Sequence, residues 1–214
     1  MNLKNLFDMQ RVLRDRIRYK KQDRFEKLIL ALIVECGECA NEWRGFKFWS
    51  KNQKSRTEEN ATCTVCDGTG DLNYEMVQED AEGNGNHEYI DCEVCDCSGV
   101  IDVRNPLLEE YVDKLHFILE LGIEIADEIG FDVWEYFNGI EVQKKLQVAP
   151  TKTITGQFIL VANYAAQLNY DDYYCELFAA YLNLGEMLGF TDEQIEQAYY
   201  TKNAVNHQRQ KQGY

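Results

Sequence analysis

The sequence predicts an all-α bundle interrupted by a cysteine-rich insert, and three observations lead there. Outside residues 56–104 the apolar residues recur at helical spacing, with no alternating strand pattern. Only two prolines occur, Pro106 and Pro150, both placed where helices can begin. Five of the eight cysteines lie between Arg56 and Arg104, with 13 acidic and two basic residues, a local balance of −11 within a formal net charge of −15. The 214 residues divide accordingly into a helical core, 1–55 with 105–214, and an insertion, 56–104. A core of this length can bury enough surface to fold without staples.

Helices are expected at about 2–20, 23–45, 106–129, 153–169, 172–188 and 191–208, with a short helix or turn at about 132–147. Asn105–Pro106 offers a capping side chain followed by proline at the first helical position. Thr191 and Gln194 have capping-box spacing ahead of the last helix. Within the insertion, 74–78 and 88–90 suit a short hairpin. No apolar run reaches membrane-spanning length and the first residues lack a signal-peptide core, so a cytoplasmic protein with no membrane partner is expected. Strong acidity argues against nucleic-acid binding, which rests on neutralising phosphates. The last stretch, 202–214, carries three basic residues and no acidic one.

Glu35, Glu38 and Glu42 are three and four apart, within an arc of about 60° on one helix. The apolar run 28–34 before them predicts a central helix. Glu110 and Asp113 repeat the spacing on a second apolar helix. Carboxylates crowded on buried helices repel and lose hydration, so they need a cation or protons. Oxygen-only ligation favours Mg²⁺ or Mn²⁺ over zinc, and Mg²⁺ is commonly completed by substrate phosphates.

Cys63-Thr-Val-Cys66-Asp-Gly-Thr-Gly70 and Cys92-Glu-Val-Cys95-Asp-Cys-Ser-Gly99 are near-copies whose CxxC knuckles are separated by 25 residues. In a chain expected to be cytoplasmic, paired CxxC motifs point to one closed, structural Cys₄ zinc site, with iron–sulfur ligation as the alternative. Cys97 takes the place of a glycine and is a spare or competing ligand. Cys36 and Cys39 are also CxxC but read as small buried residues of the acidic helix. The two motifs resemble the zinc repeats of J-domain chaperones.

The pair Glu35-x-x-Glu38 and Glu110-x-x-Asp113 resembles the signature of MazG-like all-α nucleotide pyrophosphatases. More narrowly, the segments Glu38–Trp49, Glu110–Phe117 and Lys202–Arg209 occur in the order seen in the dimeric, all-α dUTPases of phages and bacteria, which they resemble. The resemblance implies a homodimer that hydrolyses dUTP, and dUDP, to dUMP. It implies two or three Mg²⁺ per site on Glu35, Glu38, Glu110 and Asp113, with Glu38 accepting a proton from the attacking water. Lys202 and Arg209 would neutralise phosphate charge, Arg by its planar fork. Asn203, Asn206 and Gln10 would meet the uracil edge. Trp49 and Phe117 would bound base and deoxyribose beside His116, Phe117 filling the space of a 2′-hydroxyl. Lys47 and Tyr214 complete the implied substrate contacts. Where the family often has an acidic or amide residue after its first-helix glutamine motif, this chain has Arg14. Two other functions compete: a broader MazG-like pyrophosphatase acting on dCTP or other nucleotides, and a non-catalytic zinc-bearing interaction protein.

Overall fold

The computed structural model describes residues 1–74, 89–130, 132–133 and 150–213. Six helices and one two-stranded sheet are found there: α1 (Leu3–Ile17), α2 (Arg24–Trp43), β1 (Glu59–Thr62), β2 (Val100–Arg104), α3 (Pro106–Ile129), α4 (Ile154–Gln167), α5 (Tyr174–Leu188) and α6 (Asp192–Lys211). The architecture is the all-α one expected. The turn expected at 132–147 and the hairpin expected at 74–78 with 88–90 fall largely outside the described residues. The chain forms two compact units, one of residues 1–55 with 107–214 and one of residues 56–106.

In the helical unit, α1 is capped by Asn2, whose side chain accepts from the Asn5 N–H at 3.1 Å, and buries Leu3, Leu6, Phe7, Gln10 and Leu13 at three- and four-residue steps. It packs on α6, while α4 packs on α5 and α2. The capping box at α6 forms as its spacing predicts: Thr191 Oγ1 accepts from the Gln194 N–H, and Gln194 Oε1 accepts from the Thr191 N–H.

The most enclosed acidic helix is α3 rather than α2. Tyr111, Val112, Leu115, Ile118, Leu119, Leu121 and Ile123 of α3 are fully buried. By contrast α2 buries one stripe, Ile29, Leu32, Cys36 and Cys39, and leaves Leu30 62% and Val34 49% exposed. Its all-round apolar composition exceeds the cover that a single chain gives it.

Tyrosines tie α3 to α5. Tyr111 donates to the Tyr181 carbonyl at 2.9 Å, Tyr181 donates back to the Tyr111 carbonyl at 3.2 Å, and their rings stack at 4.4 Å. Tyr174 donates to the Ile118 carbonyl. These close approaches depend on glycine: a Cβ at Gly185 would lie 2.4 Å from the Tyr111 hydroxyl oxygen, and one at Gly122 would lie 2.1 Å from that of Tyr174. No helix among the described residues is long and apolar enough to cross a membrane.

The second unit is built on β1 and β2, antiparallel with Glu59 opposite Arg104 and Thr62 opposite Val100. Each strand leads to one knuckle, and the knuckles are matched bond for bond. Gly70 N–H points at Cys66 Sγ at 3.2 Å, and Gly99 N–H at Cys95 Sγ at 3.3 Å. Cys63 N–H donates to the Gly99 carbonyl, and Cys92 N–H to the Gly70 carbonyl. Gly70 and Gly99 have φ of 78° and 72°, and a Cβ on either would run into the opposite knuckle's backbone.

Candidate active site and metal centre

Helix periodicity brings the two acidic segments together. Oxygens of Glu35 on α2 and of Glu110 and Asp113 on α3 all lie within 4.8 Å of one another. Glu35 Oε2 and Glu110 Oε2 are buried and accept no hydrogen bond among the described residues. Burial, reinforced by the charges of Asp113, Glu38 and Glu110, pushes Glu35 up to about 7; burial with Asp113, Glu38 and Glu42 does the same to Glu110. The ammonium of Lys202 on α6 opposes this, donating to Asp113 Oδ2 at 2.5 Å. Glu38 stands outside the close trio and is exposed, though near enough for its charge to bear on Glu35 and Glu110. Three converging carboxylates with unused buried oxygens suit a hard divalent cation.

One turn further along, the same helices line a cavity of about 440 Å³. Ala31 lies four residues before Glu35, His116 and Phe117 lie three and four after Asp113, and Asn206 lies four after Lys202. Cavity and carboxylates are therefore neighbours by construction. Gln10, Phe117, His116, Asn206 and Arg209 line it together with the apolar Leu13, Ile17 and Leu28. Asn203 is buried on α6, one turn before Asn206. Lys47 and Trp49 do not line it. They belong to the turn after α2, where Trp49 is 65% exposed and packs edge-on against Phe46 and Phe48. Tyr214 lies outside the described residues.

The cavity also has polar walls that sequence reading missed: Tyr19, Arg24 and Glu120. Arg24 and Arg14 both contact Glu120 and Glu124, and Arg14 also reaches Asp127. Arg14, the departure from the family pattern, is thus an internal ion-pair partner. The signal was present in the acidic side chains at 120, 124 and 127, spaced four and three on the face of α3 that meets α1.

In the second unit, Cys63, Cys66, Cys92 and Cys95 are all buried, and their sulfurs lie within 4.8 Å of one another. None of the eight cysteines is in a disulfide. The Cys63–Cys92 and Cys66–Cys95 sulfurs are 3.8 and 3.7 Å apart. A tetrahedron with metal–sulfur bonds of about 2.3 Å has sulfur–sulfur edges of about 3.8 Å. Cys97 is exposed, stands outside the quartet, and occupies with φ 59° the place that Gly68 holds in the first knuckle.

Acids from two helices, a lysine from a third and an adjoining cavity describe an all-α phosphohydrolase. The family model described as dUTPase matches residues 2–68 and 102–214. The chain belongs to this all-α dUTPase family, and its activity is that of a dUTP diphosphatase of nucleotide metabolism. No curated protein matches the chain.

Proposed function

We propose that the chain hydrolyses dUTP to dUMP and pyrophosphate, and dUDP to dUMP and phosphate, with Mg²⁺ held by Glu35, Glu110, Asp113 and Glu38. The observation that carries this reading is the close trio with its unused buried oxygens. Such groups fit a cation whose ligands are oxygen and whose shell is completed by phosphate. When bound, Mg²⁺ neutralises phosphate oxygens and acidifies the attacking water, with two or three ions per site implied by the family.

Glu38, outside the tight trio, keeps a lone pair with which to accept the water's proton. Lys202, which donates to Asp113, would with Arg209 supply positive charge to the phosphates. Phe117 bounds the sugar, while Asn203, Asn206 and the floor around Gln10 receive the base. The active form is a homodimer, a reading supported by the exposed Leu30 and Val34 on α2. Turnover of dUTP, dUDP, dCTP, dTTP and UTP with and without Mg²⁺ tests the assignment. dUTP and dUDP should be preferred, and a preference for dCTP overturns it. Glu38→Gln should abolish turnover with the fold intact; retained activity removes Glu38 as the base.

We also propose that residues 56–104 form a unit of their own around one structural Zn²⁺ on Cys63, Cys66, Cys92 and Cys95. Sulfur edges of tetrahedral length and two backbone N–H groups aimed at sulfur support it. With four thiolates the shell is closed, so the ion's role is to hold the fold.

A further inference from the structure

The polar floor of the cavity contains a chain of hydrogen bonds whose direction can be followed atom by atom. Glu120 is buried, 4% exposed, and its carboxyl meets the guanidiniums of Arg14 and Arg24. Burial pushes it up while Gln10, Arg24 and Arg14 pull it down, and a carboxylate paired with two guanidiniums can only accept. Gln10, 2.9 Å from Glu120 Oε2, must therefore turn its Nε2–H₂ toward the carboxylate. Gln10 Oε1 then faces Tyr199, whose hydroxyl lies 3.0 Å away, and His116 Nδ1 at 2.9 Å. An amide oxygen only accepts, so Nδ1 of His116 carries the proton.

His116 is 6% exposed, stacked on Tyr199 at 4.3 Å, and lines the cavity. Its Nε2 is buried with no hydrogen-bond partner among the described residues. Burial, with Lys202 adding to it, pulls the imidazole down to about 3, so the ring is neutral. A neutral ring protonated at Nδ1 has a bare lone pair at Nε2.

We infer that Glu120 is a positioning residue which, through Gln10, locks His116 in the Nδ1–H tautomer and leaves Nε2 of this cavity-lining ring as an acceptor for a donor group of the nucleoside. The ligand identity rests on the dUTPase reading above; the tautomer does not. Two donors of deoxyuridine have this chemistry, the 3′-hydroxyl and the N3–H of uracil. Gln10 in this scheme is a relay whose oxygen is already engaged, rather than a group offering that oxygen to the base.

Two measurements on the full chain test it. In the zinc-bearing protein without Mg²⁺ or substrate, long-range ¹H–¹⁵N correlation spectra should show His116 protonated at Nδ1 and bare at Nε2. Glu120→Gln, whose amide lets Gln10 turn over, and Gln10→Met, which removes the acceptor, should both spread the proton to Nε2. A ring protonated at Nε2 in the wild type, or no change in either variant, overturns the inference. In turnover, 2′,3′-dideoxyuridine triphosphate lacks the sugar donor and dCTP lacks the N3–H. One of them should lose roughly 10-fold or more in kcat/KM relative to dUTP, the cost of an unmet buried acceptor, and that gap should narrow in both variants. Narrowing for the dideoxy compound assigns the sugar, and narrowing for dCTP assigns the base. A gap unchanged in the variants for both compounds overturns the inference. Failure of the dUTPase reading is separate, since it appears as no wild-type turnover of dUTP while the tautomer is still read directly.

Discussion

Filling the carboxylate trio with Mg²⁺ should expel protons, and their number follows from the structure. Glu35 and Glu110 are each pushed from an ordinary 4.5 to about 7 by burial and by their acidic neighbours. At pH 7 each is about half protonated, so metal binding should release about one proton per site, about two at pH 6 and few at pH 8. The sign for stability is fixed by the same shift. Between about 4.5 and about 7 the folded carboxyls hold protons that the unfolded chain has lost. The stabilisation from these two groups is therefore present at acid pH and is lost as pH rises through the folded values. Mg²⁺ should restore it at pH 7 and above, and should bind more tightly as pH rises. Titration calorimetry in two buffers of different ionisation enthalpy, with a non-hydrolysable dUTP analogue present, reads the proton count. Lys202 lowers both carboxyls, so Lys202→Met should raise the count at pH 7 above that of the wild type. Heats independent of buffer and affinity independent of pH would refute the placement of cations on these groups.

Metal analysis of the purified chain should give one zinc and no iron. Cys92→Ser or a strong chelator should remove it and open residues 56–104 to protease while the helical unit keeps its thermal transition; a colored iron-bearing protein would contradict this. In α5, Gly185→Ala gains about 1 kcal/mol of helix propensity but drives a methyl into the Tyr111 hydroxyl, and overpacking there should win by about 1–2 kcal/mol, seen as a lower Tm. Thr191→Ala removes the capping-box acceptor at the start of α6 and should cost about 1 kcal/mol in urea denaturation, with turnover little changed.

Much of the core was legible because helix period and caps are local. Pro106 opens α3, and the Thr191 box opens α6, where spacing put them. The acidic trio was legible for the same reason, since residues three apart lie only about 60° apart around a helix. Glu38 shows the limit: it sits about 60° around α2 from Glu35, enough to turn it to solvent while its neighbour turns inward. The exposure of Leu30 and Val34 could not be read, because composition does not say how many sides of a helix are covered. Trp49 belongs to a turn with no period to orient it, and it stands apart from the cavity. The Gln10–Glu120 bond joins residues 110 apart, so only tertiary packing reveals it. The cysteine quartet of the second unit was marked by duplicated spacing, but β1 and β2, short and without apolar alternation, were not anticipated.

The pairing of Glu59 with Arg104 has an architectural consequence. Because β1 and β2 run side by side, the segment between them begins and ends at nearly one point. Whatever lies beyond that clasp can lengthen, shrink or be exchanged as a cartridge while its two ends stay fastened to each other.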